Sequence, residues 1–389
     1  MKTSRTILLL ISSVFVILSS VFTFTSCERV PPLYLHRGLH LRIPLPLVQL
    51  NLHLFWSYEL GYDWESEWTY GWDELDKELF GEIGYTEPNV FELRRYFEGQ
   101  TPNALHDAKD EFVVNGRQFI TKYNFGYYDM LVWNQINTPD GVQSLWFDEE
   151  TTLDSVMAFT NMSLAHSGYH APAYTRSFYQ PEELFAAYER NMYISDNPDD
   201  YDGYDPETNT YIKYMNMTLM PVTYIYLTQV RLHHNRGRIG GVDGNANLSG
   251  MARGVTLNSG VANRDAVSVN YNVRFKRDCV IKQTGELVDV AGGRCLTFGI
   301  TNQNSSRMSR AEDVQDHLRH YMDVNFHFSN GNDSTFVFDV TDQVRKRYKG
   351  GVITIDLDVD TVKIPSRSGG SGFDAIVKDF EEETHEFEM

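Results

Sequence analysis

Two histidine pairs have spacings that metal sites use, His166-Ser-Gly-Tyr-His170 and His317-Leu-Arg-His320. The first contains Gly168 and is followed by Pro172, so it reads as loop and lacks the helical face that aligns two imidazoles. The second fits a helix, but no third ligand is identifiable, and ligand count is what makes such a site. Asp196, Asp199, Asp200, Asp202 and Asp205 crowd the polar loop Ser195 to Asn209 with the oxygens that calcium prefers. No register of that loop matches an EF-hand and Pro198 interrupts it, so it reads as a solvated acidic loop. No G-x-S-x-G elbow, P-loop, H-E-x-x-H or C-x-x-C occurs, and no nucleophile is paired with a base. Carboxylate pairs are unavoidable in a chain with 53 acids, so they cannot argue for glycosidase chemistry. The expectation is no enzyme, no metal and no cofactor.

The segment Tyr58 to Pro88 offers a different chemistry. With Trp56 it groups Trp64, Trp68 and Trp72, and it carries ten acids against the single base Lys77. Flat aromatic faces stack on sugar rings while carboxylates accept hydroxyl hydrogens, so an exposed Trp64/Trp68/Trp72 set could contact a glycan. The plainer reading packs these rings on a sheet, because large exposed apolar patches are uncommon on monomers.

The elements that would position these groups begin with the leader. Lys2 and Arg5 precede an apolar run, Ile7 to Leu18, broken only by Ser12 and Ser13; small hydroxyl residues then lead to Cys27. This is the layout of an export signal, residues 1–26, with a cysteine placed for lipid attachment. Read instead as a retained anchor, Ile7 to Phe24 is a poor span because it holds five Ser and Thr residues. Without that leader the balance is 32 basic against 53 acidic residues, a net charge of −21. Such a surface repels phosphates, which excludes nucleic acid as a partner and leaves Cys27 as the route to a membrane. Cys279 and Cys295 could pair in an oxidising compartment, or could equally be plain core thiols.

Residues 27–46 form a proline-punctuated tether. Leu50, Leu52, Leu54 and Trp56 then alternate with polar partners as a strand does. Further extended segments are Val90–Phe97, Glu111–Phe125, Tyr127–Gln135 and Ser155–Met162. Pro181-Glu182-Glu183 predicts a short helix over Leu184 to Arg190. Tyr211 to Ile239 reads as two strands broken at Pro221, which divides a domain 47–221 from a domain 222–365. Past it, Val267 to Phe275, Met322 to Phe328 and Ile353 to Val359 alternate cleanly, with a turn at Gly331-Asn332-Asp333. Ser309-Arg310-Ala311-Glu312 fits a helix capping box. Residues 366–389 are a flexible acidic tail in which Phe373, Ile376, Val377 and Phe380 have helical spacing. Many strands, few short helices and close turn signals predict an all-β chain of antiparallel sandwiches.

Several stretches carry a family likeness: Ser26-Cys27-Glu28-Arg29, Trp68-Thr69-Tyr70-Gly71-Trp72 and Gly84-Tyr85-Thr86-Glu87-Pro88 in the first half. Asn235 to Ile239, Leu248 to Leu257 and Phe338 to Val344 add to it in the second. On these the chain resembles a family of Bacteroidota lipoproteins related to fimbrillins, the subunits and anchors of type V pili. The resemblance runs from Cys27 to about Pro365. It implies two tandem transthyretin-like antiparallel β-sandwiches in a protein lipid-anchored to the cell outer membrane. It also implies fimbrial subunits as partners, joined by strand exchange into an open sheet edge. Arg37 and Arg42 are either processing sites or ordinary tether residues, and an anchor or accessory subunit is favoured over a stalk. The rival function is a surface glycan-binding lipoprotein that uses residues 56–87.

Overall fold

The computed structural model describes residues 45–54, 64–101, 108–136, 144–148, 156–162, 177–301, 318–364 and 375–377. Cys27, the tether up to residue 44, Trp56, the His166/His170 pair, His317 and the capping box at Ser309 lie outside them. The chain is all-β with a few short helices. β1 (Leu47–Leu54) precedes two of them, α1 (Trp64–Glu67) and α2 (Glu74–Phe80). β2 (Val90–Gly99), β3 (Ala108–Asn115), β4 (Gln118–Lys122), β5 (Gly126–Asn134), β6 (Leu145–Asp148) and β7 (Met157–Thr160) follow. β8 (Ser177–Tyr179), β9 (Phe185–Ile194), β10 (Gly203–Asp205) and β11 (Thr210–Pro221) come next. The later strands are β12 (Tyr224–His233), β13 (Ile239–Ala252), β14 (Gly254–Thr256), β15 (Ala266–Asn272), β16 (Arg274–Val280) and β17 (Leu287–Thr297). β18 (Tyr321–Phe328), β19 (Asp333–Asp339), α3 (Thr341–Lys346), β20 (Gly351–Asp358) and β21 (Ala375–Val377) complete the described chain.

β1 obeys the period of two: Val48, Leu50, Leu52 and Leu54 are buried, and the residues between them are not. It lies parallel to β11, Leu47 opposite Ile212 and Leu54 opposite Leu219, with β4 on its other side. The last two residues of β11 cross to β9, which continues to β5, β2 and β3. One strand therefore serves two facing layers. Leu50, Leu52 and Met217 from one layer meet Phe91, Leu93, Met130, Val132 and Phe185 from the other in a single core.

The later strands repeat the plan. β16-β17-β12-β20 faces β21-β19-β18-β13-β15-β8. The chain passes from one to the other at Val273, between β15 and β16. Tyr226, Val230, Ile353 and Ile355 pack there against Leu248, Val269, Val324, Phe326 and Phe336. A small sheet, β14-β7-β6, covers a third cluster that includes Leu131, Trp133, Ala158, Val255 and Phe298. Most pairings are antiparallel, but β1–β11, β12–β20, β8–β15 and β19–β21 are parallel.

Three local expectations fail for identifiable reasons. Leu184 to Arg190 is not helical; it lies in β9 and the residues leading into it. Asn134 fixes the start of that strand, its Oδ1 accepting Phe185 N at 2.6 Å and its Nδ2 donating to Glu183 O at 2.8 Å. Both faces of the start of β9 are then buried, Phe185 in one core and Ala186 in another, and tertiary contact overrides the helix preference of Leu and Ala. Glu111 to Phe125 is not one extended segment: Gly116, at φ +78°, turns the chain, and β3 and β4 end in different layers. In the tail, Ala375–Val377 is strand rather than helix, paired parallel to β19.

Candidate ligand-contact surfaces

The aromatic and acidic segment is a lid on the second half. Trp68 and Tyr70 are 4% and 2% exposed, packed with Ile225, Leu227, Val290 and Leu296 on the outer face of the β12/β17 sheet. The Trp68 and Trp72 rings lie 6.5 Å apart, and Trp72 tilts onto Phe80 at 5.5 Å. Trp68 Nε1 donates to Gly71 O, which folds the loop on itself. Trp64 and Trp72 are half-buried against the same cluster. The sheet therefore occupies the Trp68 face that the alternative, sugar-stacking reading of these three rings would need open.

Two polar devices hold the lid. Gln229, fully buried in β12, accepts Thr69 N at 2.8 Å and Tyr70 N at 3.2 Å through Oε1. Its Nε2 donates to Glu67 O and to Thr354 Oγ1, both at 2.8 Å. Asp76, with no exposed surface, closes a capping box with Asp73 and accepts Tyr70 Oη at 2.7 Å. Arg274 Nη1 reaches it at 2.9 Å, and Lys276 donates to it while lying 4.1 Å over the Tyr70 ring. Burial, and then the bond to Asp76, hold the Tyr70 hydroxyl far above its ordinary pKa. Gly292 makes the close approach possible, since a Cβ there would stand 2.7 Å from Tyr70 Cδ2.

Beside the lid runs a cleft of about 380 Å³ between α1, α3 and β20. Arg231, Lys346 and Arg347 line it opposite Glu67, Asp342 and Asp356. Arg347 Nη2 is 2.5 Å from Glu67, and Arg231 Nε is 2.8 Å from Asp356, so the charges are largely paired across it. Farther along, His233 sits between Glu286 and Asp356 at 2.9 and 2.8 Å. Burial alone would lower its pKa, but the hydrogen bonds and charges of those two carboxylates raise it. His234, Asp358 and Asp360 bring three ligand atoms within 4.8 Å of one another, a grouping of residues too far apart in sequence to be read there. Arg238 at 3.0 Å and Arg236 at 3.6 Å already neutralise Asp360, which disfavours a cation.

The cysteines are not joined. Cys279 lies opposite Val288 in the β16–β17 ladder, whereas Cys295 is seven residues farther along β17, opposite Tyr226 of β12. That offset is about 23 Å at strand rise, far beyond disulfide reach. Burial raises both thiol pKa values. On the outer face of the six-stranded sheet, Asp323 is 3% exposed. Asn247 Nδ2 donates to its Oδ2 at 2.7 Å, while its Oδ1 has no hydrogen-bond partner among the described residues. Burial pushes this carboxyl up to about 7.

The acidic loop gains neighbours that the sequence did not disclose. β10 pairs with β11 and sets Tyr204 opposite Tyr211. Burial, followed by the charges of Asp196 and Asp200 and by Tyr193, pushes the nearby Tyr201 hydroxyl up to about 12.

No protein-family model matches the chain, and no curated protein does. Among solved structures, a candidate adhesin from Bacteroides ovatus is similar at 13% identity and a TM-score of 0.48, covering 84% of this chain and 95% of its own. A second candidate adhesin, from Bacteroides thetaiotaomicron, is similar at 10% identity and a TM-score of 0.46, covering 82% and 93%. The fimbrial anchor protein Mfa2 from Porphyromonas gingivalis follows at 12% identity and a TM-score of 0.38, covering 80% and 90%. The structural neighbours are thus Bacteroidota adhesion and fimbrial proteins.

Proposed function

We propose that the chain is a lipid-anchored, fimbrillin-like protein of the cell envelope, non-catalytic, held in the outer membrane through Cys27. It serves as a pilus anchor, accessory or adhesion subunit, built of two sandwiches divided near Pro221. The observation that carries the assembly role is the edge of β19. There Ala375–Val377, reached across the Gly- and Ser-rich stretch 366–372, adds a parallel strand, Phe336 opposite Ala375 and Phe338 opposite Val377. A sheet edge accepts any strand of suitable register, because the main chain supplies the hydrogen bonds. A pairing of only three residues is short, so a longer strand donated by a neighbouring subunit would compete for this edge. The anchoring role rests on Cys27 standing directly behind an export signal.

Metabolic palmitate labelling should mark the wild type and spare Cys27→Ser. Label on both proteins, or on neither, would remove the anchor. Removing residues 366–389 should increase cross-linking to fimbrial subunits in cells, and deleting the whole protein should cost a filament or adhesion trait. If neither happens, the fimbrial role is wrong.

A further inference from the structure

Tyr204 and Tyr211 face each other across the β10–β11 ladder with ring centroids 5.1 Å apart, and Tyr201 packs on Tyr211 at 5.5 Å. The rings are tilted by 48° and 38°, so each covers its neighbour only in part, and Tyr204 keeps 49% of its surface in solvent. Tyr193, 41% exposed and 4.7 Å from Tyr127, stands near Tyr201. Tyr201 and Tyr211 are half-buried, while Tyr204 and Tyr193 stay open to solvent, so the strip presents ring faces to water that the core does not use. Around it lies the acidic loop. Asp202 accepts Tyr214 N of β11 at 2.7 Å, and Asp205 accepts Thr208 Oγ1 within the loop at 2.6 Å. The carboxylates of Asp196, Asp199 and Asp200 are exposed and make no hydrogen bond among the described residues. The nearby cation Lys213 turns to the main-chain oxygen of Asp200 at 3.3 Å.

We propose that this strip is a saccharide-contact surface that takes hydroxyl-rich, non-acidic sugar chains. The apolar C–H face of a pyranose lies on a tyrosine ring, while its hydroxyls donate to carboxylates that can only accept. The rim repels sialylated or sulfated chains by like charge, and a sugar bearing a protonated amine gains attraction from both rim and rings. A basic protein segment would also meet the rim, but it would be held by charge alone and would not need the open tyrosine faces. The inference does not depend on Cys27 or on strand exchange, so its failure and theirs are separable.

The test places the full-length protein on immobilised neutral, amino-sugar, sialylated and sulfated oligosaccharides, with polylysine as the control. The wild type should be retained by neutral or amino-sugar chains and not by acidic ones. Retention should persist at about 1 M salt, where charge attraction reaches only about 3 Å. Tyr204→Ala should weaken binding about two- to tenfold, the worth of one ring contact, while Tyr204→Phe keeps the ring and most of the affinity. Asp200→Asn should weaken it as well, and circular dichroism should show all three variants folded. Retention by polylysine alone, released by salt, would overturn the proposal. So would an array that retains nothing, or a Tyr204→Ala protein that binds like the wild type.

Discussion

Gln229→Ala tests whether the lid is structural. One side chain makes four hydrogen bonds in a dry site: to two amide N–H groups, one carbonyl and one hydroxyl. At a net worth of about 1 kcal/mol each, their loss costs about 4 kcal/mol. Two amides left buried and unpaired would cost about 1–3 kcal/mol apiece, so the lid would relieve them by lifting from the sheet. Lifting exposes Trp68 and Tyr70, which are now 4% and 2% exposed. Urea unfolding followed by tryptophan emission reads both consequences: an earlier transition and a red-shifted folded baseline. Thr354→Val, which removes only one of the four partners, should cost about a quarter as much. A Gln229→Ala protein within about 1 kcal/mol of wild type, with unshifted emission, would refute the reasoning.

Three further outcomes follow from the same geometry. Asp76→Asn leaves Arg274 and Lys276 with Asp73 alone and should cost about 3 kcal/mol in urea unfolding; a neutral effect would mean that the cluster is not buried. Asp323 holds its proton up to about pH 7 when folded and only to about 3.9 when unfolded, so the penalty for ionising it is absent below about pH 4, grows between 4 and 7, and is full above 7. Asp323→Asn should therefore match wild type near pH 4 and exceed it by on the order of 4 kcal/mol at pH 8; a pH-independent gap would contradict this. Cys279 and Cys295 should both react with a thiol reagent in denaturant without prior reduction, and Cys295, fully buried, should not react in the folded protein; a reduction requirement would show a disulfide.

The strands were legible wherever a single face was buried, as along β1 and β18, because period two is a local signal. β9 was not, because Leu184, Ala186 and Ala187 suit a helix and only contacts on both faces make them a strand. The lid illustrates a second limit. Trp68, Tyr70 and Trp72 were recognisable as a cluster, but their partners, Gln229 and Val290, lie about 160 and 220 residues away. Nothing in the spacing distinguishes rings under a sheet from rings in water. The tyrosine strip is hidden for the same reason: Tyr201 and Tyr204 fall in the aspartate loop while Tyr211 opens the next strand, and β10 aligns Tyr204 with Tyr211 only by pairing with β11. Asp196, Asp199, Asp200 and Asp202 are exposed, but Gly203–Asp205 is a paired strand that the loop reading does not contain.

The lid also sets an order of events during synthesis. Trp68, Tyr70 and Trp72 leave the ribosome long before β12, β17 and β20, the strands that will cover them, so more than two hundred further residues must emerge before their seat is complete. Throughout that interval an aromatic stretch travels uncovered. The ten acids around those rings acquire a second use in this light. Before Asp73 and Asp76 cap a helix and pair with Arg274, the acids of this stretch keep an unfinished chain soluble and apart from its copies while the rest arrives.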